Sequence, residues 1–266
     1  MVDCIRLVGY QRWIIVGYHR SMNFSISARL VFVLIVVALV QRSRAAEPAY
    51  APTSSYSTQS AEGWTIHVSH ALSADHGDLC QKTLTLLRVK LYEITRVVPP
   101  KPLEKLREVP IWIEYQDRGW PCMCYHPSRD WLKDNGYNPD KAQGVEIAGA
   151  QNFLDWATAQ PWMVLHELAH SYHDRVLGFD NAEVKAAYQA AVDSHSYDKV
   201  LYYDGRQERH YALTDEKEYF AECSEAFFGT NDFFPFVRAE LAQHDPRAFH
   251  LLEKVWGTSA KGKRTD

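Results

Sequence analysis

The chain has 266 residues, 46% of them hydrophobic and 23% charged, a composition typical of a globular protein and not of a disordered or fibrous one. Its formal net charge is −4 and its body has no block of lysine or arginine, so a nucleic-acid binder, which needs a basic surface, is not expected. No apolar run reaches the roughly 18 residues of a membrane-spanning helix, so no integral membrane segment is expected once a signal is removed.

The longest apolar run, Leu30 to Val40, predicts a secretory signal peptide. Arg29 precedes the run, and the small residues Ser43, Ala45 and Ala46 follow it, the order of features found in such signals. We therefore predict that residues 1–45 are removed, with Met22 as a possible true start, and that the protein is secreted or periplasmic. The alternative that stays open is an uncleaved N-terminal membrane anchor.

Predicted elements begin after a segment without apolar periodicity. Residues 46–62 are rich in Ala, Ser, Thr, Pro and Tyr and are predicted to form a flexible linker. Residues 63–258 are predicted to form one α+β domain, with a small mixed β-sheet and helices first and a helical half after it. The patterns favour strands at 64–68, 109–115 and 145–149 and helices at 75–99, 160–178, 181–193, 215–228 and 232–243. Residues 259–266 are predicted to be a solvated tail.

Four cysteines remain after the signal segment, namely Cys80, Cys122, Cys124 and Cys223. Sequence alone cannot choose between structural disulfides and buried thiols. A bridge from Cys122 to Cys124 would close a very tight ring, so any disulfide is expected to join one of them to Cys80 or Cys223. The C-x-C spacing is not that of a zinc ribbon.

The most informative pattern is His166-Glu167-Leu168-Ala169-His170, an H-E-x-x-H run in a predicted helix. Residues four apart lie on one helical face, so both imidazoles can reach one Zn²⁺ ion. Glu167 lies beside the metal position, where it can take a proton from a zinc-bound water that attacks a carbonyl group. The apolar residues around the motif favour a buried helix. The motif predicts one catalytic zinc ion per chain.

A catalytic zinc needs a third protein ligand. The metzincin continuation is absent, because position 173 is histidine and position 176 is valine. We interpret His173 as a residue that packs near the site or supports a ligand. A downstream helix places Glu218, Glu222 and Glu225 at i, i+4 and i+7, so that the three carboxylates form one stripe among aromatic residues. Such a stripe is expected to face a buried cation.

Together these motifs resemble the gluzincin metallopeptidases, most closely the catalytic domain of the anthrax toxin lethal factor group. In that group the third ligand is the Glu of a Glu-aromatic-Phe-Ala-Glu run, which corresponds here to Glu218 in Glu218-Tyr219-Phe220-Ala221-Glu222. The group also has a tyrosine seven residues earlier, which corresponds to Tyr211. The resemblance covers about residues 145–230 and implies a zincin-like fold.

The resemblance implies a peptidase with a peptide or protein substrate. Glu167 would be the general base and Tyr211 would donate a hydrogen bond to the tetrahedral oxyanion, with His210 as the weaker candidate. Glu222 or Glu225 would orient a ligand imidazole. The strand at 145–149 would be the sheet edge that pairs with an extended substrate.

Two other functions remain open from sequence: a secreted zinc-binding or adhesion module without turnover, and a zinc hydrolase acting on a non-peptide amide. Zinc binding alone would require neither Glu167 nor Tyr211, which disfavours the first. Substrate preference, an inhibitory role for the N-terminal segment, and the oligomeric state are not determined by the sequence.

Overall fold

A computed structural model describes residues 50–116, 119 and 121–258 of the chain. The predicted signal peptide at 1–45, the first part of the predicted linker and the tail at 259–266 lie outside the described residues. The described part is a mixed α+β structure, as predicted, with a small mixed sheet and many helices.

The main sheet has five strands in the order β1-β2-β3-β5-β4. Its three central strands run parallel, and the strand at each end is antiparallel to its neighbour. A separate hairpin, β6–β7, precedes the last helices. The strands are β1 (Tyr56–Ala61), β2 (Trp64–Ser69), β3 (Ile111–Ile113), β4 (Met123–Tyr125), β5 (Val145–Ile147), β6 (Val200–Leu201) and β7 (Gln207–Glu208).

Within the described residues ten α-helices surround the main sheet and build the C-terminal half. They are α1 (His70–Asp75), α2 (Gly77–Val97), α3 (Pro100–Arg107), α4 (Arg129–Asp134), α5 (Ala150–Trp156), α6 (Met163–Tyr172), α7 (Ala182–Ser194), α8 (Glu216–Phe228), α9 (Arg238–His244) and α10 (Pro246–Val255). None of the helices in the described residues combines the length and the apolar character needed to cross a membrane.

The N-terminal part of the sheet differs from the prediction of a flexible linker at 46–62. Within that segment Tyr56–Ala61 forms β1, which pairs with β2 through a tight turn. The turn residues Glu62 and Gly63 have positive φ angles of 52° and 95°, the conformation that such hairpins require. Only the two ends of β1 are buried, so its sequence lacks the alternation that would have revealed a strand.

Three other predictions about the secondary structure also differ from the structure. The first long helix does not begin at Asp75, because Ser69 caps the short α1 and the chain turns at His76 before α2 begins. The predicted loop from 116 to 144 contains β4 and α4. The predicted third strand, β5, lies between β3 and β4 and is therefore not the sheet edge. A three-residue strand in a turn-rich segment gives too short an apolar signal to be recognised.

The sheet has one apolar and one polar face, and both are covered. Side chains of Ile111 and Val145 belong to the main hydrophobic core together with Leu165 of α6. The alternate residues, Trp112 and Glu146, are also buried but lie outside that core. Because strand side chains alternate between faces, the sheet separates an apolar layer against α6 from a polar layer under residues 126–144.

The polar face contains a buried ion network around Lys141. Its Nζ atom lies 2.6 Å from Glu114 and 2.5 Å from Glu146, and His126 Nε2 lies 2.6 Å from the other oxygen of Glu146. Tyr56 donates its hydroxyl to Glu114. Burial alone would raise the pKa of Glu146, but hydrogen bonds and charge from His126 and Lys141 lower it to about 2. Lys141 is thus the cation that compensates two carboxylates on this face.

The cysteines form no disulfide of the predicted kind. Cys80 and Cys223 are buried thiols, so the expected pairing of Cys122 or Cys124 with either of them is wrong. Cys122 and Cys124 contact different residues. Cys124 Sγ lies 3.5 Å from His126 Nε2, and Cys122 Sγ lies 3.7 Å from Met163 Sδ. Cys223 lies on α8 next to Tyr197.

A close contact fixes how α6 and α8 meet. Gly229, just after α8, lies against the indole of Trp162, which precedes α6; a Cβ atom at 229 would be 1.8 Å from Cε2 of that indole. We expect Gly229→Ala to lower the free energy of unfolding by about 1–3 kcal/mol, because the indole or the helices must shift. Urea unfolding would measure this.

Gly77→Ala is the matched control, because nothing lies within 4 Å of a Cβ atom there and residue 77 begins a helix. Its stability should stay the same or rise, since alanine favours helix. Equal destabilisation by both substitutions would contradict the close packing at Gly229.

Removing the buried Lys141 cation should also destabilise the protein. We expect Lys141→Met to lower the free energy of unfolding by about 3–5 kcal/mol, because it leaves Glu114 and Glu146 without their counter-charge. The exposed pair of Lys254 with Glu183, also at 2.6 Å, supplies the control: Lys254→Met should cost less than about 1 kcal/mol. Similar losses in both variants would show that the network adds no more than a surface pair.

The same network predicts the acid dependence of stability. The pKa of Glu146 is about 2 in the folded protein against 4.5 for the ordinary group, so the unfolded chain binds more protons between these values. Its stabilising effect is therefore complete above pH 4.5 and is lost as pH falls towards 2. Urea unfolding across this range should show a steeper pH dependence in the wild type than in Lys141→Met, and equal slopes would contradict this assignment.

Candidate metal centre

The candidate site lies where α6 packs against α8. All ten residues of α6 are buried, which agrees with the apolar surroundings of its H-E-x-x-H motif. Glu218 lies in the first turn of α8, where Asp215 caps the helix by accepting the backbone N–H groups of Lys217 and Glu218. The cap fixes the start of α8 and with it the position of the Glu218 side chain opposite α6.

The structure brings His166, His170 and Glu218 together. Their ligand atoms form a triangle: the Nε2 atoms of the two histidines are 3.1 Å apart, and Glu218 Oε2 lies 3.0 Å from that of His166 and 3.3 Å from that of His170. Each of the three residues is only 1% exposed. Burial alone would raise the pKa of Glu218, but His170 and His166 lower it to about 2, so its carboxylate stays ionised.

These distances suit one small cation. Tetrahedral ligands 2.0–2.1 Å from zinc are separated from one another by about 3.3 Å, close to the sides of this triangle. The residues are also the imidazole and carboxylate types that zinc prefers. His166, His170 and Glu218 therefore form a group that could hold a metal ion, and their ligand types are compatible with the zinc predicted from the sequence.

Glu225 supports His166 from the other side of the ring. Its Oε1 atom lies 2.8 Å from His166 Nδ1, whereas Glu222 Oε1 lies 3.6 Å away. Burial alone would lower the pKa of His166, but hydrogen bonds to Glu218 and Glu225 raise it well above its ordinary value. A carboxylate on Nδ1 holds the proton there and leaves the Nε2 lone pair for a metal. Of the two predicted carboxylates, Glu225 is thus the one placed to orient this imidazole.

Glu167, the predicted general base, is buried next to the two histidines. Its side chain is buried, and burial raises its pKa above the ordinary value. It accepts a hydrogen bond from the backbone N–H of Tyr125 in β4, while its Oε2 atom has no hydrogen-bond partner in the described part of the chain. A carboxylate with one oxygen held and one available can accept a proton next to the metal position.

The other predicted residues have different surroundings. His173 packs between Phe179 and Phe220, and burial lowers its pKa to about 3. His210 accepts the backbone N–H of Ala212 at its Nδ1 atom, which lies 3.8 Å from Glu222. Burial lowers the pKa of His210 to about 3 as well. Both rings are therefore neutral, and His173 is a packing residue.

Tyr211 begins a short 3-10 turn, Tyr211–Leu213, that packs against α8. It is half-buried and immediately follows His210. The turn therefore brings both candidates for the oxyanion donor to the helix that carries Glu218. The choice between them remains a prediction.

Sequence reasoning missed two residues behind the site. The amide of Asn231 donates to Glu222 at 2.9 Å. Asp232, interpreted from sequence as the start of a helix, is instead buried, and burial together with the charge of Glu225 raises its pKa to about 7. The helix expected from it, α9, begins at Arg238. Only the fold of the loop after α8 turns these side chains towards Glu222 and Glu225, so no local signal could have identified them.

A second buried group, Cys124, His126 and Glu146, could also hold a metal ion. Here His126 Nε2 lies 2.6 Å from Glu146, a hydrogen-bond distance and shorter than the roughly 3.3 Å between ligands of a tetrahedral zinc. Lys141 already compensates Glu146. The α6–α8 group, in contrast, has no lysine or arginine paired with Glu218, Glu222 or Glu225 in the described residues. The need for an added cation is therefore greater between α6 and α8.

Comparison of the chain with protein-family models, with curated proteins and with solved structures gave no match in any of the three. The residues of this chain alone carry the inference about its function.

Ligand loss gives the first test of the metal centre. Glu218→Ala should lose stoichiometric zinc, because it removes one side of the ligand triangle. The measurement is metal content by mass spectrometry after dialysis against a weak chelator. Glu216→Ala, on the same first turn but outside the triangle, should keep its zinc. Full zinc occupancy in Glu218→Ala would exclude Glu218 as a ligand.

Proposed function

We propose that this protein is a zinc-dependent metallopeptidase of the gluzincin type with a zincin-like fold. The observation that carries the proposal is the triangle of His166, His170 and Glu218 with the carboxylate of Glu167 beside it. The triangle supports a metal centre, and the buried Glu167 supports hydrolysis, because a purely structural site would have no use for a base. Localisation outside the cytoplasm, through the signal at 1–45, is part of the proposal.

Each residue of the site would have a distinct role in hydrolysis. His166, His170 and Glu218 would hold Zn²⁺, which when bound supplies Lewis acidity to polarise a carbonyl and to acidify water. Glu167 takes the proton of the attacking water and passes it to the leaving amine. Glu225 keeps the His166 ring oriented. Tyr211 donates to the oxyanion as the carbonyl becomes tetrahedral.

The substrate would pair with β4 and not with β5, the strand predicted for this role. β4 ends the sheet on the side of Glu167, and the Tyr125 N–H contacts the Glu167 carboxylate directly. A peptide added as an extended strand alongside β4 would bring a backbone carbonyl close to that carboxylate. Main-chain pairing of this kind favours peptides over other amides.

The test compares the wild type with Glu167→Gln on a degenerate peptide mixture, reading new termini by mass spectrometry. The wild type should generate new termini, and the variant should be slower by about 10²–10⁴-fold while retaining zinc, since only the base is lost. Identical digests from two zinc-loaded proteins would contradict the proposal and favour the binding module or a non-peptide substrate.

Tyr211→Phe refines the mechanism in the same assay. It should bind zinc normally and turn over more slowly, because the hydroxyl acts only on the tetrahedral state. Unchanged turnover would point to His210 or to no side-chain donor.

A further inference from the structure

A second concave surface lies over the polar face of the sheet, on the side opposite α6. It is a half-open cavity of about 310 Å³ between the segment at 50–56, the end of β3 and residues 135–141. This volume is at the lower end of the range for small-molecule sites, about 300–1,000 Å³. The sheet lies between the cavity and the candidate metal centre, so the cavity is not a subsite of that centre.

The charges in the cavity wall cancel. Glu114 and Lys141 are the only ionisable groups besides tyrosines among the described residues that line it, and they pair with each other at 2.6 Å. Lys141 is only 3% exposed and is further bound to Glu146, so the pair is fixed in place. An anionic ligand would meet the Glu114 carboxylate and a cationic one the Lys141 ammonium. The wall therefore favours a neutral ligand.

The remaining lining groups are suited to hydroxyl groups and to apolar ring faces. Amide side chains of Gln116 and Asn135 can both donate and accept hydrogen bonds, and one N–H of Asn135 is held by the carbonyl of Trp131. Tyrosine side chains at 50 and 137 also line the cavity and offer aromatic surface, whereas Tyr56 is buried and its hydroxyl is donated to Glu114. Amides for hydroxyls and aromatic rings for a C–H face are the groups that a sugar ring requires.

We propose that this cavity binds a neutral saccharide unit, a pyranose of a glycan, separately from the peptidase site. The ligand would lie against the tyrosine rings and exchange hydrogen bonds with the amides of Gln116 and Asn135. Such a site would attach the protein to a glycan without taking part in hydrolysis.

Saturation-transfer NMR and calorimetry on the full-length Glu167→Gln protein would test the proposal without interference from turnover. The probes are glucose, galactose, mannose and N-acetylglucosamine, with acetate and trimethylammonium as the anionic and cationic comparisons. At least one sugar should bind, and neither ion should. Binding of an ion but no sugar, or of none of these probes to the folded protein, would overturn the proposal.

Variants locate the site. Gln116→Ala with Asn135→Ala should weaken sugar binding by about tenfold or more, because two hydrogen-bonding side chains are lost. Both residues are exposed, so the fold should be retained. Tyr50→Ala, which removes one ring, is an independent second variant, and Gln81→Ala on the exposed face of α2 is the matched control. Unchanged affinity in both cavity variants, or an equal loss in the control, would place the sugar elsewhere and overturn the proposal.

Discussion

The His166 imidazole, clamped between two carboxylates of one helix, is the interaction on which the candidate site depends. Glu218 approaches one ring nitrogen and Glu225 the other, at 3.0 and 2.8 Å. This arrangement requires a fixed distance between α6 and α8. The close contact of Gly229 with Trp162 sets that distance. Buried carboxylates are tolerated only when they are paired or neutralised, so the crossing also creates a strong demand for positive charge.

The protein meets that demand differently on the two faces of its sheet. On the polar face Lys141 provides the cation from the chain itself, and the distances around Glu146 are those of hydrogen bonds. Between α6 and α8 the acidic groups face imidazoles, and the spacing of the donor atoms is that of metal ligands. The first cluster already contains its own cation, whereas the second could hold a metal ion without competing with a lysine. This contrast makes the α6–α8 group the stronger candidate for holding a metal ion.

The sheet topology connects the metal centre to its proposed substrate. Because β4 and not β5 is the last strand, the backbone next to Glu167 belongs to a strand that has a neighbouring strand in the sheet on one side only. The buried charge network on the polar face anchors the segment between β4 and β5, and so holds β4 in place. The ion network around Lys141 thereby contributes to the geometry of the strand that contacts Glu167.

Sequence alone determined the elements whose signals are local. The i, i+4 spacing of His166 and His170 places both on one helical face in any α-helix, and the cap at Asp215 depends only on neighbouring residues. The stripe of Glu218, Glu222 and Glu225 could also be predicted from the sequence, because the helical repeat puts all three residues on one side.

Tertiary structure alone decided which of those glutamates approaches which nitrogen of His166. Their spacing is the same whichever way α8 is rotated, and only its crossing with α6 turns Glu218 to Nε2 and Glu225 to Nδ1 of His166. The same holds for β1 and β4, whose short or polar sequences form strands only through their pairing partners. It also holds for Asp232, which was predicted to begin a helix and is instead part of the buried acidic cluster. Local patterns specify which faces a helix or strand has; what each face meets depends on packing between segments far apart in sequence.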